Sequence, residues 1–352
     1  MRIIYIASAK SIHSARWIRY FTSSNSVVWI TNADPSKETI REFNYLQKKT
    51  TIYNTKKLKD LFKIIKVLLF EKYSLVHIHY LGWHSLLSLF MRPYSNLVLT
   101  PWGSDLLINR SFFKKIWLTI LFKKANYTIC DSKRLKNASV KLGANKNNIL
   151  VSMFGIDTNS YKANRTIFSD EKKIFIGSNR KLEKIYDVLT LLKTAKSICK
   201  KRDDIVFLIA GDGSLKSELE KYVKGENLRE KIFFLGLLNK KEMHDFYNKI
   251  DIYVSTSLSD GGLSSSIAEA MSFERVVIVT NNSDNGLWIK DKKNGYLFDN
   301  KDAVKLGKII ELISKNKNKN ILVGKSARKI IELNYSYNKE MSKVEEIYKR
   351  FK

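Results

Sequence analysis

Ile252-Tyr253-Val254-Ser255-Thr256-Ser257-Leu258-Ser259-Asp260-Gly261-Gly262-Leu263-Ser264-Ser265-Ser266-Ile267-Ala268-Glu269-Ala270-Met271 reads as a short apolar strand, a glycine- and serine-rich turn, and the opening of a helix. The first N–H groups of a helix lack intrahelical partners and carry the positive end of its dipole, so such a turn can receive a diphosphate. Glu269 falls about one turn into the helix. A carboxylate there can accept two hydrogen bonds from vicinal ribose hydroxyls, and it is equally a residue favoured near a helix start by the dipole. Position alone leaves both readings open.

The same strand–helix alternation runs outward in both directions. Strands are expected at Ile3 to Ala7, Val27 to Thr31, Leu75 to His79, Leu97 to Thr100, Tyr127 to Cys130 and Ile149 to Ser152, with helical segments such as Lys56 to Phe70 between them. The pattern restarts at Lys173 to Ile176, Ile205 to Ala210, Ile232 to Leu235, Ile252 to Ser255 and Val276 to Val279. Alternation of this kind builds parallel sheets covered on both faces. Two α/β domains follow, at residues 1–160 and 166–336. The polar stretch Gly155 to Arg165 is the expected linker and the place where a cleft opens. Met341, Val344, Ile347 and Tyr348 form one stripe of a last helix at about 337–352, expected to pack back on the first domain.

Composition narrows the partners. The formal net charge is +29, and residues 1–160 carry 25 Lys+Arg against 8 Asp+Glu, so the first half is the more basic. A lysine-biased surface can be no more than solvation, or it can attract phosphorylated ligands or anionic lipid. No recognised nucleic-acid module accompanies it, so a nucleic-acid partner is not expected. Apolar runs fall short of the ~20 residues that span a bilayer, and the N-terminus reads straight into a strand without a signal-peptide core, so a cytoplasmic location is expected. Cys130 and Cys199 have neither CxxC spacing nor a histidine partner, which points to ordinary thiols rather than a disulfide or zinc site.

Further motifs extend the reading. Gly236 follows Phe233-Phe234-Leu235, Met243 to Tyr247 precedes Asp251, and Ile209-Ala210-Gly211-Asp212-Gly213, Arg180 with Lys184, and Asn294-Gly295-Tyr296-Leu297-Phe298 complete the second half. With Thr100-Pro101-Trp102-Gly103-Ser104-Asp105 and Phe154-Gly155-Ile156-Asp157 in the first half, this set resembles the family-4 retaining glycosyltransferases over nearly the whole chain. The resemblance implies a GT-B fold, with two facing Rossmann-like domains around a cleft. It implies an acceptor on the N-terminal side, a nucleoside diphosphate sugar as donor on the C-terminal side, retention, and no cofactor or required metal. Its site residues are Arg180 and Lys184 as leaving-group stabilisers and Glu269 as ribose anchor. The donor contacts are Gly211, Gly213, Gly236, Asp260, Gly261, Gly262, Leu263, Ser264 and Ser265. One departure stands out. The family's other carboxylate, seven intervening positions before Glu269, falls here on Gly261, so either Asp260 stands in for it or no carboxylate serves there.

Acceptor-side candidates are His13, on the loop after the first strand, His79 at the end of its strand, and Trp102 and Asp105 in the Thr100 to Asp105 motif. His84 and His244 read as packing or surface residues. Ser111 to Lys124 interleaves aromatics with paired lysines, as either a core-facing helix with snorkelling lysines or one lying on an anionic membrane. The membrane reading would suit a lipid-linked acceptor and peripheral attachment to the inner face. Two other readings of the scaffold remain open. One is a nucleotide-sugar epimerase that needs no acceptor, and the other is a non-catalytic basic binder of nucleic acid or membrane.

Overall fold

Runs such as Ile3-Ile4-Tyr5-Ile6 and Val276-Val277-Ile278-Val279 are apolar at every position, because a parallel strand flanked by helices is buried on both faces; all eight residues are 0–1% exposed. The computed structural model describes residues 1–37, 39–107, 111–152, 155–170, 172–260, 263–282 and 285–351. These divide into two units, Met1–Gly155 with Asn338–Lys352, and Ile156–Tyr337.

The first unit holds β1 (Arg2–Ile6), β2 (Ser26–Thr31), β3 (Thr51–Asn54), β4 (Leu75–His79), β5 (Asn96–Thr100), β6 (Tyr127–Cys130) and β7 (Ile149–Val151). Their order is β3-β2-β1-β4-β5-β6-β7, all parallel. Its helices are α1 (Ile12–Phe21), α2 (Ile40–Gln47), α3 (Leu58–Phe70), α4 (Ser104–Leu107), α5 (Phe112–Lys124) and α6 (Lys133–Lys141), with a 3-10 segment at Trp83–Phe90. One sheet face packs Ile4, Ile6, Val76 and Ile78 against Ile64 and Leu68 of α3 and Leu118 and Phe122 of α5.

The second unit holds β8 (Ile174–Ser178), β9 (Ile205–Ala210), β10 (Ile232–Gly236), β11 (Ile252–Ser255), β12 (Val276–Thr280) and β13 (Tyr296–Phe298), in the order β10-β9-β8-β11-β12-β13. Around it run α7 (Val188–Cys199), α8 (Lys216–Gly225), α9 (Lys240–Lys249), α10 (Ser265–Ser272), α11 (Asn285–Trp288), α12 (Ala303–Lys315) and α13 (Lys317–Asn334). Helix α9 starts on a capping box. Asn239 accepts from the Lys241 and Glu242 amides at 2.9 and 3.1 Å, and Glu242 accepts from the Asn239 amide at 2.7 Å. The last helix, α14 (Tyr337–Lys349), lies against the first unit, where Tyr348 bonds Tyr5 at 3.1 Å and Ser152 donates to buried Glu340 at 2.6 Å.

Two strands go beyond the sequence reading. β3 is a half-exposed edge of four polar-flanked residues, and β13 is three residues long, so neither carries a long apolar run. The polar stretch read as a linker is fixed on the second unit. The Ile156 amide donates to Tyr335 O at 2.8 Å, and Arg165 bonds Asn248 O, Lys249 O and fully buried Asp251. Asp251 also accepts from the amides of Phe168 and Phe175 at 2.7 and 2.8 Å. Beside it, fully buried Arg275 donates to Ile250 O and Arg165 O at 2.9 and 3.0 Å, and burial lowers its pKa to about 10. Phe154 of the linker motif lies outside the described residues.

Candidate active site

Open parallel sheets bind ligands beyond the carboxyl ends of their strands, where the strand order reverses. In the second unit that point lies between β8 and β11. The chain leaving β8 carries Asn179 and Arg180, and the chain leaving β11 leads through Asp260 to α10, so two distant segments meet.

Arg180 is the centre of this meeting. Its guanidinium forms an ion pair with Asp260, donates from Nη1 to Ser266 Oγ at 2.8 Å, and lies 4.5 Å over the Tyr186 ring. The pair is nearly closed to solvent, with side chains 10% and 4% exposed. Burial pushes the Asp260 carboxyl pKa up and the Arg180 charge draws it back, so the pairing sustains the ionised form. Arg180 Nε is buried with no protein partner.

Helix α10 presents Ser266 and Glu269, three residues apart and hence on one face. Ser264 caps it, accepting from the Ile267 amide at 3.4 Å. Glu269 is half-buried and accepts from Tyr247 Oη at 2.9 Å. Tyr247 is held in turn by Asn179, whose Nδ2 donates to its hydroxyl at 2.8 Å, while Tyr253 donates to Asn179 Oδ1 at 2.8 Å. Burial, followed by the Glu269 charge, raises the Tyr247 pKa well above that of a free phenol, so it stays a donor.

The glycines act from behind. A Cβ on Gly211 would come within 2.5 Å of Arg180 O, and one on Gly213 within 2.4 Å of Leu182 O; Gly211 also has φ +123°. The Gly211–Gly213 turn presses on the backbone that carries Arg180, and Leu182 N donates to Asp212 O at 3.0 Å. Gly236 has φ +67° and accepts at its carbonyl from the Gly211 amide at 2.7 Å. Lys184 is exposed at the start of a 3-10 turn, Leu263 is buried with its carbonyl 3.4 Å from Tyr335 Oη, and Ser265 opens α10. Gly261 and Gly262 lie outside the described residues. Among the described residues, no three His, Cys, Asp or Glu side chains converge as a metal site.

The first unit has its own pocket at its own reversal point, between β1 and β4. It measures about 280 Å³ and is lined by Ser8, Lys10, Ser11, Ser14, His79, Tyr80 and Trp102. His79 is fully buried. Its Nδ1 lies 3.1 Å from Ser14 Oγ and its Nε2 meets no protein partner. Burial and then neighbouring His84 lower its pKa to about 3, so it is neutral at pH 7. His13 packs on Trp102 at 5.5 Å between ring centroids, and burial and then Arg16 lower its pKa to about 4. Asp105 is turned to the backbone, accepting from the Leu81 and Trp102 amides at 2.7 and 2.9 Å, so it braces the two loops that flank the pocket. His84 bonds the His79 carbonyl at 3.1 Å, and His244 packs between Tyr161 and Phe273.

Sequence reasoning assigned no role to Asn179, Tyr247 or Tyr253, and took Ser266 only as part of the Gly261 to Ser266 backbone cradle for phosphate and sugar. Tyr253 in the apolar strand β11 and Tyr247 on the buried side of α9 were the available signal, because a buried phenol needs a hydroxyl partner.

Two family models match. Residues 160–330 match "Glycosyl transferases group 1", and residues 2–132 match "Glycosyl transferase 4-like". An uncharacterized glycosyltransferase of Methanocaldococcus jannaschii is 26% identical over 253 residues, covering 68% of this chain and 62% of that protein. The Campylobacter jejuni GalNAc-alpha-(1->4)-GalNAc-alpha-(1->3)-diNAcBac-PP-undecaprenol alpha-1,4-N-acetyl-D-galactosaminyltransferase is 28% identical over 243 residues, covering 66% and 64%. The chain thus spans less than two thirds of either relative. Anabaena HepE, solved in complex with UDP-glucose, superposes with a TM-score of 0.78 at 16% identity over 99% of this chain and 100% of that one. At that identity the likeness concerns the fold, whose class is GT-B.

Proposed function

The chain belongs to the group 1 glycosyl transferases, and we propose that it moves a hexose or N-acetylhexosamine from a nucleoside diphosphate sugar to a glycan or lipid-linked acceptor, with retention at the anomeric carbon. The observation that carries this reading is the meeting of Arg180 with the Ser266–Glu269 face of α10 at the β8/β11 reversal point. The start of α10 would receive the diphosphate, and Glu269, aimed by Tyr247, would take the ribose hydroxyls.

In the transfer, an acceptor hydroxyl bonds to the anomeric carbon while the bond from that carbon to the diphosphate oxygen breaks. The electron pair leaves on the diphosphate, which also takes up the hydroxyl proton. Negative charge therefore grows where Arg180 and Lys184 can meet it, in a largely dry environment at Arg180. Protein cations and a helix terminus would do this without a divalent metal. Asp260 stands on the Arg180 side of the site, as the counter-ion that orients this cation. No side chain is assigned as nucleophile.

The activity named for the Campylobacter jejuni relative supports a lipid-linked acceptor and, with it, peripheral attachment at the inner membrane face in cell-surface glycan assembly. The test pairs a thermal-shift screen of nucleotide sugars with a product assay. A stabilising donor should yield free nucleoside diphosphate and an acceptor one sugar longer. Donor conversion without any acceptor would overturn the transferase reading in favour of an epimerase.

A further inference from the structure

Three neighbouring elements of the first unit share one sheet face and one kind of surface. Helix α3 lies against the 3-10 segment Trp83–Phe90, where the Arg92 amide donates to Leu68 O at 3.1 Å. That segment is tied to α5 by Trp117 Nε1 donating to Ser85 Oγ at 2.8 Å and by Lys124 Nζ donating to Ser88 O at 3.0 Å. Their inner sides join a common core, so their outer sides form one continuous exterior.

That exterior is both apolar and cationic. Phe62, Trp83, Phe112 and Phe113 are 72–79% exposed, and Ile116 and Ile120 extend the α5 stripe at helical spacing. Lys59, Lys63, Lys66, Lys115 and Lys123 stand exposed among them. The only acid in residues 56–70, 83–94 and 111–124 is Asp60, which is buried and accepts from the Asn54 amide at 3.0 Å. No exposed carboxylate on these segments therefore repels an anionic surface. Among the described residues no helix is long and apolar enough to cross a membrane. Amphipathic elements with aromatic and aliphatic tips ringed by lysine lie in the headgroup layer instead. Exposed isoleucines do not stack on bases, which favours lipid over a nucleic-acid strand.

We infer that the α3, Trp83–Phe90 and α5 face docks on an anionic phospholipid bilayer, its lysines on the headgroups and its aromatic tips at the acyl boundary. This deepens the peripheral attachment proposed above by naming the surface that makes it, and it stands on the geometry of that surface rather than on the transfer reaction.

The test is co-sedimentation of the full chain with vesicles of phosphatidylcholine alone and with about one-third phosphatidylglycerol. The expected result is binding to the anionic vesicles that weakens with salt. Lys59→Glu/Lys63→Glu/Lys66→Glu should lower partitioning by about a hundredfold, at roughly fivefold per lysine. Phe112→Ser/Phe113→Ser should lower it by about tenfold or more. Lys305→Glu/Lys308→Glu, on exposed positions of α12, serves as the charge control and should change it little. The proposal is overturned if anionic vesicles do not bind, if the α12 control loses as much as the α3 variant, or if the phenylalanine variant binds like the parent. It is also overturned if a single-stranded polynucleotide binds more tightly than the vesicles through the same lysines. The melting temperature of each preparation without donor reports folding, and a donor-induced shift measured separately keeps a failure here distinct from a failure of the transferase reading.

Discussion

Arg180 and Asp260, eighty residues apart in sequence, form a buried ion pair, so the principal cation of the candidate donor site carries its own counter-ion. Removing one partner of such a pair leaves an uncompensated charge. Asp260→Asn should destabilise the second unit by about 3 kcal/mol. A bound nucleoside diphosphate would supply the missing negative charge, so the nucleotide-induced rise in melting temperature should be larger for Asp260→Asn than for the parent. Scanning calorimetry with and without nucleotide measures this. An equal or smaller rise would mean that Asp260 contacts ligand rather than orienting Arg180.

Glu269 and Tyr247 make separable contributions. Glu269→Ala should lower kcat/KM for donor by about a hundredfold through lost charged hydrogen bonds, and Tyr247→Phe by about five- to tenfold through lost orientation. A 2′-deoxyribose donor should be penalised in the parent and not in Glu269→Ala. Steady-state kinetics of the four combinations give the coupling, and additive losses would remove the ribose assignment.

Gly211→Ala and Gly213→Ala should each destabilise the second unit by about 2 kcal/mol, because the new methyl meets main-chain oxygen rather than a movable side chain. The displaced backbone is the one that carries Arg180, so donor affinity should fall with stability. Gly236→Ala meets no atom within 4 Å, and at φ +67° it should cost only about 1 kcal/mol of backbone strain. Urea titration of the three variants checks the ranking.

His77 and His79 set an acid limit on the first unit. Both are fully buried, and burial is the first cause that lowers the pKa of each, to about 3 for His79. Their contribution is intact above the unfolded value near 6.5. It is lost as the pH falls below that value, because the unfolded chain then binds protons that the folded chain refuses. By pH 5.5 each should cost about 1.4 kcal/mol. Denaturation of His79→Gln across this range should show a shallower pH dependence, and an unchanged slope would contradict the assignment.

How far the sequence carried this picture differs by element. β4 was legible to the residue because Leu75 to His79 sits in the middle of a sheet, whereas the edge strand β3 needs no apolar run and offered none. Arg180 and Glu269 could be named from motif order, yet what holds them could not. Asn179 and Tyr253 are brought to Tyr247 by β8, α9 and β11, and no local spacing encodes that meeting. Asp105 could likewise be named from its motif as an acceptor-side candidate, while the two backbone amides its oxygens accept, from Leu81 and Trp102, are set by the fold.

Helix α14 gives the molecule an order of assembly. The second unit is continuous in sequence and is complete once residue 337 has left the ribosome, whereas the first unit begins at residue 1 and waits for the final fifteen residues. Until then Nδ1 of His77 and the hydroxyl of Tyr5 face a gap that Tyr348 later fills. A chain that stalls or is clipped just before α14 would therefore release an intact second unit joined to an unfinished first one, a natural substrate for quality-control proteases.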